Sequence, residues 1–164
     1  MGENRGVIRQ YTLYIIYYYK KKHMKKKIQE YPNDTWLFTL AVANEAITYQ
    51  DINKLYCSDF DGNKEIDVKE DVDLTPGGAL TTFLYKRKTH EKIVLVWYGG
   101  QANYSIANKI PLMEDLVNAC AHEALHVAID TVCTCCNDKL DVDNQETLAY
   151  LAGWTAQNIF KTLR

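Results

Sequence analysis

The chain has 164 residues, of which 47% are hydrophobic, and a formal net charge of -2 at neutral pH. This length suits a single domain that buries its own core, so we predict one domain over residues 1–164. The near balance of charge excludes a strongly basic nucleic-acid-binding protein as a description of the whole chain. The five cysteines, without a recognisable secretory signal, favour a reducing compartment, and we therefore predict a cytoplasmic protein.

The amino-terminal part combines an apolar run with a lysine run. Residues 7–19 are β-branched and aromatic, which predicts a strand, with a helix continuing into the lysines as the alternative. The run is too short to span a bilayer and contains Arg9 and Gln10, so we predict no membrane segment. Six lysines follow between Lys20 and Lys27. They indicate either a solvated surface or an anionic partner, such as nucleic acid, a lipid surface or an acidic protein.

Residues 28–78 carry weaker signals and match no pattern of known function. The segment 31–34 contains Pro32 and predicts a chain break with a helix cap. Apolar residues at helical spacing from Trp36 to Ile47 predict a core helix. Residues 58–75 are acidic and predict a loop. Within it, residues 59–63 faintly resemble a calcium loop, but a lysine stands where the glycine belongs, so we predict a simple turn.

The next segment predicts a β-hairpin. Residues 80–85 and 92–98 are rich in strand-forming residues and are separated by the charged residues 86–91. His90 falls in that turn, where we expect an exposed side chain rather than a metal ligand. Pro111 then opens a long helix, because proline is favoured at the first helical position.

That helix contains His122-Glu123-x-x-His126 within an apolar pattern of helical period. The two histidines are one turn apart, so both imidazoles project from one face, opposite the apolar stripe. Two neutral imidazoles at this spacing suit one Zn²⁺ ion, and Glu123 lies beside them, where it can act on an attacking water. The pattern predicts a zinc site, and a chance match is the alternative.

A catalytic zinc ion usually has a third protein ligand. A second amphipathic helix begins near Asp143, and Glu146, Tyr150 and Gly153 lie along one border of its apolar stripe. Because Gly153 has no side chain, we expect the two helices to approach closely there and to bring Glu146 to the metal. The alternative is a capping box, in which Asp143 caps the helix and Glu146 bonds the backbone of the cap.

The combination of His122-Glu123-x-x-His126 with Glu146 on a following helix resembles the gluzincin pattern of zinc metallopeptidases. The Glu146-x-x-x-Tyr150-x-x-Gly153 segment also resembles small phage-encoded peptidases and, more loosely, the ImmA/IrrE-type metallopeptidases. The resemblance covers residues 79–164 and leaves residues 1–78 unassigned. It implies an α+β, minimal zincin-like domain, in which a small antiparallel sheet packs on the metal helix and a carboxyl-terminal glutamate helix. It also implies that His122, His126 and Glu146 bind zinc and that Glu123 is the general base.

Three further features bear on this site. A developing oxyanion needs a hydrogen-bond donor, for which Tyr150 is the first candidate and Tyr104 the second, with packing as the alternative for each. Asp130, one turn after His126, is placed either to orient an imidazole or to end the helix in solvent. Three cysteines lie between the two helices, and their spacing is not that of a zinc knuckle, so we predict free thiols, with a structural metal as the alternative. These cysteines are Cys133, Cys135 and Cys136.

The sequence therefore predicts a zinc-dependent metallopeptidase, a hydrolase that cleaves a peptide bond in a specific protein through a metal-activated water. If a phage encodes it, the setting is the host cytoplasm. The alternative is a non-catalytic phage structural or host-interaction protein on a zincin-like scaffold. Glu123 favours the enzyme, because a pure metal-binding scaffold needs no base. Little chain follows Glu146, so we expect one wall of the cleft to come from the amino-terminal half or from a partner.

Overall fold

The computed structural model describes residues 25–70, 78–99, 112–135 and 145–164. Several predictions fall outside these ranges: the strand at residues 7–19, the first lysines of the run, Tyr104, the cap Asp143 and Cys136. The side chain of Cys135 is likewise outside the description.

The described elements place all of their strands before the two long helices. They are strands β1 (Ile28–Asn33) and β2 (Phe38–Ala43), helix α1 (Tyr49–Leu55), strands β3 (Tyr56–Cys57), β4 (Asp59–Asp61), β5 (Lys64–Ile66), β6 (Ala79–Lys86) and β7 (Lys92–Tyr98), helix α2 (Leu112–Asp130), a π-helical turn (Thr131–Cys135) and helix α3 (Gln145–Leu163). In the described part of the chain, five strands form one sheet in the order β1-β2-β7-β6-β3, and β4 and β5 form a separate hairpin. The α+β class is confirmed.

The sheet is mixed, and the prediction of an antiparallel sheet is wrong. β2 and β7 pair in parallel, whereas β1–β2, β6–β7 and β3–β6 pair antiparallel. The predicted hairpin of β6 and β7 is confirmed, and the strand that joins it to β1 is β2. Since a parallel pair needs a crossover, the chain between β2 and β7 passes through α1 and the short strands.

Strand β2 replaces the core helix predicted over Trp36–Ile47. All six of its residues are buried, because it lies inside the sheet with apolar side chains above and below. A strand buried on both faces shows no polar alternation, so its short apolar run cannot be told from a buried helix by periodicity. Each fully buried leucine or valine in it contributes about 2 kcal/mol through the hydrophobic effect.

The side chains of the sheet divide between two cores, as the two-residue period of a strand requires. One core lies between the sheet and the two long helices and includes Leu40, Val42, Val94, Val96, Cys120, Ala124, Val127, Leu151 and Ile159. The other lies on the opposite face, beneath α1, and includes Ala41, Ala43, Ile52, Tyr56, Ile93 and Leu95. Both faces of the sheet are therefore covered.

The edges and turns correct two smaller predictions. Pro32 lies within β1 and does not break the chain. Among the described strands β1 lies at the edge of the sheet, where the missing proline N–H is tolerated. Residues 59–66 form the β4–β5 hairpin where a loop was predicted, although the turn at Gly62 is confirmed and has the positive φ of 60° that favours glycine. His90, in the β6–β7 turn, is exposed as predicted. None of the described helices is long and apolar enough to cross a membrane.

Candidate metal and catalytic site

The histidine pair lies on the exposed face of α2. The buried face of the same helix includes Cys120, Ala124 and Val127, so the imidazoles point away from the core, as the four-residue spacing predicts. The Nε2 atoms of His122 and His126 are 3.1 Å apart. Their ring centroids are 4.7 Å apart, with planes inclined at 74°. Both rings thus present the same nitrogen to one point outside the helix.

This separation suits a shared tetrahedral ion. With Zn–N bonds of about 2.05 Å and a tetrahedral angle, two imidazole nitrogens on one zinc lie about 3.3 Å apart. The 3.1 Å between the two Nε2 atoms is close to that value. A direct N–H···N hydrogen bond between the rings has a similar length. By type and by distance, the two imidazole nitrogens fit zinc as two of its ligands.

Glu123 lies on a different side of α2 from the histidines, toward the sheet. Its side chain is buried, with 6% of the residue exposed, because the step of 100° from His122 turns it toward the sheet. Its Oε2 atom accepts a hydrogen bond of 2.6 Å from the Thr81 hydroxyl on β6. Sequence reasoning missed Thr81, since a threonine in a strand carries no mark of a contact with a helix 42 residues later.

Glu146 lies in the first turn of α3 with an exposed side chain. Across the described ranges, no three His, Cys, Asp or Glu side chains are grouped so that they could hold a metal ion. The structure therefore does not bring Glu146 to the histidine pair, and its role as third ligand stays a prediction. The capping alternative also stays open, because Asp143 lies outside the described residues.

Gly153 does not act as predicted. It is exposed, and a Cβ atom built on it would meet nothing within 4 Å. The helices α2 and α3 do pack against each other, but the face of α3 that is buried carries Leu151, Thr155 and Ile159 instead. Gly153 lies away from that contact, so a missing side chain there does not set the distance between the helices.

The remaining candidates have distinct surroundings. Tyr150 is 75% exposed, which contradicts the packing alternative and leaves its donor role a prediction. Asp130 is half-buried at the end of α2. Cys133 is a free, exposed thiol. Cys120 is free and buried, and burial raises the pKa of its thiol to about 11, so it is a structural rather than a reactive cysteine.

Two described lysines of the basic run contact the domain through their side chains. Lys26 Nζ lies 2.5 Å from Asp51, and Lys27 Nζ donates to the Thr162 carbonyl at 3.3 Å. These contacts fasten the start of β1 to α1 and to the end of α3. An anionic partner for Lys20 to Lys27 stays a prediction.

Comparison of the sequence with protein-family models and curated proteins, and of the structure with solved structures, gives no match. The functional assignment is therefore drawn from the residues of the site. Two imidazoles face solvent as a pair, and a carboxylate one residue along is held against the sheet. Two imidazoles and a carboxylate on one helix are the residue types of a zinc-ligand pair and a general base, and those roles stay predictions.

Proposed function

We propose that this protein is a zinc-dependent metallopeptidase that hydrolyses a peptide bond in a protein substrate. The observation that carries the proposal is the 3.1 Å approach of the His122 and His126 Nε2 atoms, on a helix whose intervening residue Glu123 is a buried, hydrogen-bonded carboxylate. The distance between the two nitrogens suits a shared zinc ion, and the carboxylate on the same helix supplies the residue type of a general base.

Each residue has a stated role in the proposal. His122 and His126 would hold the zinc, and Glu146, exposed in the first turn of α3, is the proposed third ligand. When bound, zinc polarises the scissile carbonyl and lowers the pKa of a coordinated water. Glu123 accepts a proton from the attacking water and passes it to the leaving amine. Tyr150 is the proposed donor to the developing oxyanion.

Strand β6 supports a peptide as the substrate. Gly78, just before β6, and Lys86, at its end, bond the β7 side, so the alternating backbone groups of residues 79, 81 and 83 face the opposite side. There β3 pairs only with Tyr85 and Lys86, and no other strand within the described ranges joins β6. Residues 79–83 are accordingly half-buried. A strand edge that no other described strand covers, next to Glu123, suits an extended peptide, which adds to a sheet through main-chain hydrogen bonds.

One observation favours the alternative of a non-catalytic phage structural or host-interaction protein. The described residues do not gather a third ligand around the histidines, and a pair of histidines alone binds zinc weakly. For either function the proposed setting is the cytoplasm, since the thiols of Cys57, Cys120 and Cys133 are free.

Elemental analysis of the purified protein tests the proposal. We expect about one zinc per chain in the wild type, and loss of that zinc in His122→Ala and His126→Ala. His90→Ala is the matched control, because His90 is an exposed histidine outside the motif, and it should keep the zinc. Glu146→Gln should lower zinc affinity at least tenfold, as expected for a lost ligand.

The remaining outcomes separate the two functions. Glu123→Gln should keep the zinc and lose hydrolysis by a factor of about 100 or more. Zinc retained in Glu146→Gln would assign that residue to capping. A wild-type protein that takes up no zinc after reconstitution would contradict the peptidase, and stoichiometric zinc without hydrolysis would support the non-catalytic protein.

A further inference from the structure

Thr81 is a residue outside the histidine motif that contacts the motif's glutamate directly. Its hydroxyl donates to Glu123 Oε2 over 2.6 Å, from a strand 42 residues earlier in the chain. Hydroxyl–carboxylate bonds of this length are charge-assisted and stronger than bonds between neutral groups. The contact therefore determines where the carboxylate of Glu123 lies.

The position of Thr81 is itself fixed by the sheet. Thr81 pairs with Val96 of β7, a buried residue of the core beneath the long helices. The branched side chain of threonine restricts its χ1 rotation, so the strand sets the direction of the hydroxyl. A serine at this position would keep the donor but lose part of that restriction.

The bond leaves one oxygen of Glu123 for chemistry. Oε2 accepts the Thr81 hydroxyl, and no hydrogen bond to Oε1 is seen among the described residues, so Oε1 is the atom that we assign to proton transfer. In the described part of the chain, no lysine or arginine forms an ion pair with Glu123. A neutral donor orients the carboxylate without neutralising it.

We propose that Thr81 is the positioning residue of Glu123, which holds the carboxylate in one rotamer with Oε1 free to accept the proton of the attacking water. This inference rests on the proposed function, since it assigns Thr81 a part in the same reaction. In this role the side chain of Thr81 touches neither substrate nor metal and acts through Glu123, whereas its backbone belongs to the strand edge proposed to bind the peptide.

The test compares hydroxyl-free and hydroxyl-bearing variants in the full-length, zinc-loaded protein. Thr81→Val and Thr81→Ala remove the donor with different volumes, Thr81→Ser keeps it, and Thr82→Val is the control on the other face of β6. The probe is a library of peptides from a digested whole proteome, with cleavage read by mass spectrometry. kcat and KM are then measured on the fastest-cleaved peptide.

We expect Thr81→Val and Thr81→Ala to lose about 100-fold in kcat, with KM and zinc content unchanged, because a misplaced base slows proton transfer and not binding. The kcat of Thr81→Ser should stay within about fivefold of the wild-type value. The kcat of Thr82→Val should equal the wild-type value. In the metal-free protein, the carboxyl carbon resonance of Glu123, assigned with Glu123→Gln, should move in the two hydroxyl-free variants and stay in place in Thr81→Ser.

Contrary results point to different failures. A zinc-bound wild type that cleaves no peptide would overturn the proposed function and the role of Thr81 with it. Cleavage that persists in Thr81→Val would overturn the role of Thr81 alone. Losses that follow side-chain volume, or that Thr82→Val shares, would show that β6 packing is responsible and would overturn the positioning role.

Discussion

The carboxylates around the β6–β7 turn and the carboxylate of Glu123 have different partners. Around the β6–β7 turn, Arg87 forms ion pairs with Glu65 and Asp67, and Lys86 lies 2.9 Å from Glu30 and 3.0 Å from Glu91. Each of these carboxylates faces a cation, and Glu65 and Glu30 are also partly withdrawn from water. In contrast, Glu123 is 6% exposed and accepts a hydrogen bond from a neutral hydroxyl.

This difference in partners indicates which carboxylates stabilise the fold and which one suits a chemical role. Taking a carboxylate out of water costs several kcal/mol of free energy. A neighbouring cation offsets more of that cost than a neutral hydroxyl does. Glu123 is therefore less favourable for folding than an apolar residue would be at its position in the core. The ion pairs of Arg87, in contrast, attach the β4–β5 hairpin to the sheet. Unfavourable buried charges are typical of residues kept for function.

The largest expected effect is at Arg87. Its guanidinium binds Glu65 and Asp67, and its Nε donates to the carbonyls of Asn53 and Tyr56. Arg87→Met should lower the free energy of unfolding by about 2 kcal/mol, because two carboxylates lose their cation and two partly buried carbonyls lose their donor. Urea unfolding measures it, with the exposed neighbour Lys88→Met as control, expected within about 0.5 kcal/mol of wild type. Equal effects of both variants would show that the network is not stabilising.

An effect of opposite sign is expected at Glu123. Glu123→Gln removes the buried charge, yet the amide oxygen can still accept the Thr81 hydrogen bond. We expect the free energy of unfolding to rise by about 1 kcal/mol, measured by the same urea titration. A loss of stability as large as that of Arg87→Met would contradict this expectation, because Glu123 would then be a structural residue.

The smallest expected effect concerns acid unfolding through Asp51. The hydrogen bond from Lys26, followed by that from Thr48, holds the pKa of the Asp51 carboxyl well below its usual range. A carboxyl with a lowered pKa in the folded state stabilises the fold above its unfolded pKa of about 3.9, and that stabilisation is lost as the pH falls further. Asp51→Asn should therefore lower stability at pH 7 by less than about 1 kcal/mol and make its decline below about pH 4 shallower. Parallel curves for the two proteins would contradict the assignment.

Local patterns in the sequence predicted local features of the structure. The β6–β7 hairpin, the exposure of His90 and the pairing of His122 with His126 each depend on residues close in the chain, and all three were predicted. Strand β2 was mistaken for a helix because both of its faces are buried, which removes the alternation that identifies a strand. The parallel pairing of β2 with β7 could not be predicted, since register across a crossover leaves no mark in either strand.

In the candidate site, too, contacts between residues close in the chain were predicted and contacts between distant residues were not. The histidine pair follows from a four-residue spacing, whereas the contact between Thr81 and Glu123 joins residues 42 positions apart. Gly153 was expected to mark the approach of two helices, but the absence of a side chain does not say which face of a helix is buried. The exposure of Gly153 and the burial of Leu151 depend on how α3 docks on the sheet.

The parallel pairing of β2 with β7 has a consequence for the order of folding. Thr39 of β2 bonds Glu91, which is 52 residues away, so β2 gains its place only after a long loop has closed, a step that slows folding. The β6–β7 hairpin and helix α2 involve short separations and form on faster timescales. The His122–His126 pair, which needs only a turn of α2, can therefore form before Thr81 reaches Glu123. Under the proposed function, the two proposed zinc ligands are then in place before the proposed base is positioned.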